Sequence, residues 1–295
     1  ANVEGYATAR GSITGSFGDP VPDIQAEVRD ARFNVPEFRL TYTAEGPVSI
    51  DEEGIHIHGA RVGDPTGGTA VLTGGILFND YRYFSFDVQG ELDELQIMNV
   101  MQSQELPFYG RIWTSGTARL TGPVYSAMLR STNAIASARS EVFIPLVETD
   151  VSVDPGFIVF ADSTGKVPDL QQISRRKNLL SRRPTGERTF IDGLEMDLNI
   201  FAQSGSTVHL VIDPLLGDVI NAVGSGRIQL QLLEGEFSTF GTLNVTSGDY
   251  LFTAGDVFMR RFLIDNGTIT WDGDPINAQM NIQASYRTRA STQGI

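Results

Sequence analysis

The chain has 295 residues, room for about two domains or one elongated β-structure, and it sets 36 acidic side chains against 22 basic ones for a formal net charge of -14. That balance disfavours broad adhesion to phosphate backbones or anionic headgroups, which argues against a nucleic-acid partner. With no cysteine at all, disulfides, thiolate metal sites and cysteine nucleophiles are excluded together.

The N-terminal run ANVEGYATAR lacks the basic-then-apolar order of a signal peptide, and Ala1 to Gly11 reads as strand material from the first residue. No stretch approaches the roughly 18 consecutive apolar residues of a membrane helix. The end at Ser291 to Ile295 carries no terminating motif, so the chain is expected to be a fragment of a longer protein whose anchor lies elsewhere. Thirty-one glycines and 13 prolines punctuate short runs of Val, Ile, Leu, Phe and Thr, the pattern of many strands. His56 and His58 are two apart and project from one strand face, where two imidazoles could begin a metal site. Spacing suggests no third ligand, and two exposed polar strand residues is the better reading.

After Gly90, Leu92, Leu95, Met98 and Met101 recur every three residues, which predicts a short helix. A strand is expected at Phe157 to Phe160, followed by an irregular basic segment from Ser163 to Arg188. This segment holds Lys166, Arg175, Arg176, Lys177, Arg182, Arg183 and Arg188, with a helical pattern from Leu170 to Leu180. It reads as a solvated insertion, with contact to a membrane surface or acidic partner as the alternative. From Leu194 onward the period is two. Leu194, Met196, Leu198 and Ile200 alternate with polar residues, as do Val208, Leu210 and Ile212, then Ile228, Leu230 and Leu232, and finally Ala278, Met280, Ile282, Ala284 and Tyr286. Each strand has one apolar face. Turn signals at Glu234-Gly235, Ser247-Gly248, Asn266-Gly267 and Asp272-Gly273-Asp274-Pro275 join these strands into an antiparallel meander.

Catalytic constellations are not found. Gly224-Ser225-Gly226 has Val223 and Arg227 where a nucleophile elbow needs glycine, and is read as a turn or bulge. No glycine pattern forms a phosphate cradle between strand and helix. Asp51, Glu52, Glu53, Asp272 and Asp274 could pair as carboxylates, but each sits beside glycine or in a turn, where it has structural work to do. The apolar faces fit the core of any β-sandwich or β-helix. They fit a lipid trough only if one face is left uncovered, which periodicity does not decide.

The C-terminal stretch contains Gly226-Arg227-Ile228-Gln229-Leu230, then Gly241-Thr242-Leu243-Asn244-Val245-Thr246-Ser247-Gly248-Asp249-Tyr250-Leu251-Phe252, then Gly267-Thr268-Ile269-Thr270-Trp271-Asp272-Gly273-Asp274-Pro275-Ile276-Asn277-Ala278. In order and density these resemble the C-terminal domain of the TamB family, with its G-x-L-x-V-x-x-G-x-Y-x-F strand and its G-x-I-x-W/F-x-G-D-P turn. Upstream, Asp64-Pro65-Thr66-Gly67-Gly68-Thr69-Ala70, Phe108-Tyr109-Gly110, Ser115 to Pro123 and Ser140 to Leu146 resemble preceding repeats of that family. The basic insertion matches none of its motifs.

The resemblance implies an all-β chain, an elongated antiparallel taco: an open, curved sheet or β-helix-like trough with an apolar concave face. It implies TamB-like β-repeats over 1–162, the basic insertion over 163–190, and a C-terminal-type β-domain over 191–295. It further implies a non-catalytic periplasmic segment of a Gram-negative bacterium, anchored to the inner membrane by a region outside this chain. There it conducts phospholipid between the membranes and supports outer-membrane assembly. The expected partners are phospholipid acyl chains and an outer-membrane barrel protein of the TamA/BamA type, with no cofactor, no metal and no nucleic acid, and exposed edge strands invite edge-to-edge dimers of a fragment. The expected lipid floor comprises Leu194, Met196, Leu198 and Ile200; Val208, Leu210 and Ile212; Ile228, Leu230 and Leu232; Leu243, Val245, Tyr250 and Phe252; Ile269 and Trp271; Met280 and Ile282. The alternative is a closed β-helix or β-sandwich serving as scaffold or polysaccharide-binding surface, with a carbohydrate-active enzyme and an outer-membrane barrel more distant.

Overall fold

A computed structural model describes residues 3–16, 18–79, 83–101, 108–146, 193–213, 217–254 and 258–286. Fourteen strands form one sheet: β1 (Val3–Ser16), β2 (Asp19–Val35), β3 (Leu40–Ile50), β4 (Gly54–Gly63), β5 (Thr69–Asn79), β6 (Tyr83–Val100), β7 (Tyr109–Pro123), β8 (Met128–Ala136), β9 (Glu141–Pro145), β10 (Glu195–Asp213), β11 (Asp218–Leu233), β12 (Glu236–Ala254), β13 (Phe258–Gly273) and β14 (Gln279–Ser285). Among the described residues the helical content is a 3-10 turn at Pro36–Phe38 and a 3-10 residue at Gly193. The all-β expectation therefore holds.

Neighbours in sequence pair antiparallel along nearly the whole sheet, with one exception. β8 and β9 lie end to end between β7 and β10, like one strand interrupted at 137–140. Both run antiparallel to β7 and parallel to β10. This lets a single ladder run from β1 to β14 without a break, and among the described residues β14 pairs with β13 alone.

Because the described strands make a single sheet, within them the apolar face is covered by rolling upon itself. The Tyr42 hydroxyl on β3 donates to the Gln96 carbonyl on β6 at 2.7 Å, reaching past two intervening strands. Burial raises the Tyr42 hydroxyl above its ordinary pKa, and nearby Asp64 adds to the effect. Farther on, the rings of Phe108, just before β7, and Phe237, on β12, lie 4.9 Å apart. Four buried clusters follow the concave side, the largest built on Leu210, Ile220, Ala222, Leu243, Val245, Ile264, Ile269 and Trp271. At the other end β1 is exposed on both faces, with Tyr6 at 80% of its full accessibility.

Two expectations need correction. The helix predicted over Leu92 to Met101 is the C-terminal part of β6. Register shifts between Leu92 and Leu95 and between Gln96 and Met98 insert extra residues into a strand, and Glu94 takes φ 50° there. Each bulge stretches a spacing of two into three, which imitates a helical period. The turns expected at Ser247-Gly248 and Asn266-Gly267 also lie inside strands, β12 and β13, whereas Glu234-Gly235 and Asp272 to Pro275 do terminate them. Gly267 is there for contact, since a Cβ on it would run into the Asn281 carbonyl and Ile282 Cα of β14. The strand at 157–160, the insertion and the helix at 170–180 lie outside the described residues.

Candidate functional site

Where β7 to β13 roll around, they leave an apolar cavity. Its walls come from Phe108 and Ile112, Ala136, Val142 and Ile144, Ile200, Ala202 and Val208, Ile228 and Leu230, Phe237 and Leu243, and Trp271 and Pro275. The cavity volume is about 110 Å³. Four hydroxyl-bearing residues, Ser140, Ser206, Thr207 and Thr239, also reach it. Two of these hydroxyls are spent on backbone: Ser140 Oγ accepts from Trp113 N–H at 3.1 Å and donates to its carbonyl at 3.2 Å, and Ser206 Oγ donates to Ser137 O at 3.3 Å. The surface presented to a guest is thus hydrocarbon, which selects by burial rather than by hydrogen bonding.

One wall is held by a turn with its own internal bonding. The Asp274 carboxylate accepts from Ile276 N–H at 2.9 Å and from the Asn277 amide at 3.0 Å, an Asx-type turn. The Trp271 indole N–H donates to Pro275 O at 3.2 Å. Gly63-Asp64-Pro65 repeats the device upstream: Asp64 accepts from the backbone of Thr66, Gly68 and Gln96, and the Trp113 indole N–H donates to Thr66 Oγ1 at 2.8 Å. Partial burial works to raise the Asp64 pKa, but the donated hydrogen bonds from Gln96, Thr66 and Gly68 outweigh it and hold the carboxyl below its ordinary range. Asp64 and Asp274 are therefore occupied structurally.

The sheet's opposite face carries a polar ladder across six strands. Arg111 donates to Glu141 at 3.0 Å, and His209 Nε2 lies 3.0 Å from the other Glu141 oxygen. His209 Nδ1 is 2.6 Å from Asn221 Oδ1, the Asn221 amide donates to Asp249 at 3.1 Å, and Arg261 grips Asp249 through two bonds. Phe143 stacks on His209 at 4.1 Å. The Arg111 hydrogen bond and then the His209 contact hold Glu141 below its ordinary pKa against partial desolvation. This ladder ties the short β9 into the sheet, while Val142 and Ile144 on its other face wall the cavity. His56 and His58 do share one face, engaged with Asp51 at 3.0 Å and Ser49 at 2.7 Å. Among the described residues no three His, Cys, Asp or Glu side chains gather as a metal-holding cluster.

Of the expected floor, Ile200, Val208, Ile228, Leu230, Leu243 and Trp271 line the cavity. Leu210, Val245 and Ile269, with Ile212, Tyr250 and Ile282 against them, do not line it but belong to the buried cluster that also holds the lining residues Leu243 and Trp271. Leu194 and Met196, with Leu198 and Leu232, form a separate cluster on its other side. Phe252 is half-buried beside Tyr250, and Met280 stands 41% exposed on edge strand β14. Phe108, Ile112, Ala136, Val142, Ile144, Ala202, Phe237 and Pro275 complete the apolar wall and were not foreseen. Alternation of Val142 and Ile144 about Phe143 is a period-two signal that marks that strand face; nothing local marks Pro275.

Comparison with curated proteins and with solved structures gave no match. A model of the TamB C-terminal domain matches residues 58–295, from β4 to the last residue. That span contains every cavity-lining strand, both Gly-Asp-Pro turns and the outer-face ladder, and the chain belongs to the TamB C-terminal domain family.

Proposed function

We propose that this chain is a non-catalytic envelope module that shelters phospholipid acyl chains in its rolled sheet and passes lipid between inner and outer membrane. The TamB family serves outer-membrane assembly in the Gram-negative envelope and is not a known enzyme family. The observation that carries the lipid reading is the cavity between β7 and β13, walled by hydrocarbon on every bounding strand, with its serine hydroxyls turned to backbone. Burial contributes about 0.8 kcal/mol per CH₂ without demanding a fixed geometry, so a chain can be held and still slide. A membrane-bound barrel protein of the TamA/BamA type is the proposed recipient. No helix among the described residues is long and apolar enough to cross a membrane.

The test is to express the chain in the periplasm of a Gram-negative cell, purify it without detergent, and examine it by native mass spectrometry and lipid extraction. Bound phospholipid at a stoichiometric fraction is expected. Lipid-free protein, together with failure to take up added lysophospholipid, would remove the proposal and leave a closed β-scaffold.

A further inference from the structure

We infer that lipid enters and leaves the cavity through a short seam between β7 and β9, closed from outside by the Arg111–Glu141 ion pair; this rests on the reading that the cavity holds an acyl chain. The closed cavity encloses about 110 Å³, well below the roughly 300–1,000 Å³ of a ligand site. A wall must therefore part to house a chain, and it parts where the join is weakest. β7 meets β9 along three facing pairs, Tyr109 with Phe143, Gly110 with Val142 and Arg111 with Glu141. β7 meets β8, and β9 meets β10, along five pairs each. β9 is also bound to β10 at both ends: Thr207 N–H donates to Ser140 O at 3.0 Å and Leu146 N–H to Val211 O at 2.8 Å. With Phe143 stacked on His209 at 4.1 Å as well, β9 stays with β10 when β7 moves away.

The seam is thin on its inner side. Phe108, Ile112 and Val142 line the cavity, but the β7 residue midway between the first two, facing Val142, is Gly110, which puts no side chain into the wall. Its φ is 138° and a Cβ there would run into the Glu141 carbonyl, so the two strands close only around a glycine. One end of the seam is pinned, because Ser137 N–H donates to Trp113 O at 2.9 Å and Ser140 Oγ bonds both Trp113 backbone groups. On the outer side Tyr109 stacks on Phe143 across the seam at 4.9 Å, and Arg111 donates to Glu141 at 3.0 Å. The Arg111 side chain is 57% exposed, so salt reaches this pair and screens it. The closing contact can break while the rest of the ladder stays formed.

Because the chain has no cysteine, Arg111→Cys together with Glu141→Cys makes one disulfide across the seam. Directly opposed strand residues lie about 4.5–5.5 Å apart at Cα, inside disulfide range. Uptake of palmitoyl lysophosphatidylcholine by the purified chain is followed over time by native mass spectrometry, the zwitterionic headgroup avoiding repulsion by the net charge of -14. Oxidised, this double variant should stay empty over the period in which the wild-type chain fills. Reduced, with the ion pair gone, it should fill up to about fivefold faster than wild type. Gln231→Cys with Ser238→Cys staples facing residues of β11 and β12 instead and should fill alike in both states. Arg111→Ala keeps the seam testable if the first double variant fails to fold or to close its disulfide: wild-type uptake should speed up from about 20 to about 500 mM salt, whereas Arg111→Ala should be fast at both. Equal filling by the oxidised and reduced Arg111/Glu141 variant, equal slowing by the Gln231/Ser238 staple, or a salt response that Arg111→Ala shares with wild type overturns the seam while leaving the acyl cavity intact. Absence of uptake by the wild-type chain overturns both.

Discussion

Leu230 and Leu210 are both inward leucines on adjacent strands, yet they should respond differently to charge. Leu230 is half-buried on the cavity wall, whereas Leu210 is fully enclosed. An arginine at 230 can direct its guanidinium toward the solvated opening, so Leu230→Arg should keep the fold, lose less than about 2 kcal/mol and abolish lipid uptake. Leu210→Arg must bury a charge with no partner and should unfold the chain or cost it several kcal/mol; circular dichroism melts of the two variants make the comparison. The carboxylates give a second test at this scale. Asp64 and Glu141 are both held below their ordinary pKa in the fold. Their stabilisation is therefore complete above the unfolded values and drains away as pH falls through the folded ones. Melting temperature should hold steady from neutrality to about pH 5 and fall below about pH 4. Asp64→Ala, which strips acceptors from the Thr66, Gly68 and Gln96 N–H groups, should cost about 1–3 kcal/mol at neutral pH and make that acid slope shallower.

At the scale of elements, period-two alternation made the strands from Leu194 onward legible, and the meander of β10 to β14 follows it. Bulges defeated the same method. In β6 they converted strand spacing into an apparent helix, and in β12 and β13 they placed Ser-Gly and Asn-Gly pairs inside strands. A glycine adjacent to Ser or Asn carries the same local signal whether it makes a turn or admits a neighbouring backbone, and only the register separates the two. Gly241 shows the second use: its φ is 119° and a Cβ would strike the Arg227 carbonyl on β11. Gly241→Val should cost about 1–3 kcal/mol through strain and contact, visible as a melting temperature lower by roughly 2–12 °C.

At the scale of the molecule, a single 14-stranded sheet among the described residues supplies both the wall and the cover of the core they form. Which inward residues would line a space and which would pack dry was not legible, because Leu230 and Leu210 have the same local pattern and differ only in how far the rolled sheet closes above them. The contribution of β8 and β9 was missed for the same reason: Ala136 and Val142 reach the cavity through the parallel pairing of β8 and β9 with β10, a long-range event. The most direct test places a photo-crosslinking amino acid at Leu230 and, separately, at the next position, Gln231, whose side chain alternates to the opposite face, in the protein expressed in its native envelope. An acyl-holding cavity predicts phospholipid adducts from position 230 and few or none from 231, and equal labelling from both, or labelling from 231 alone, would contradict it.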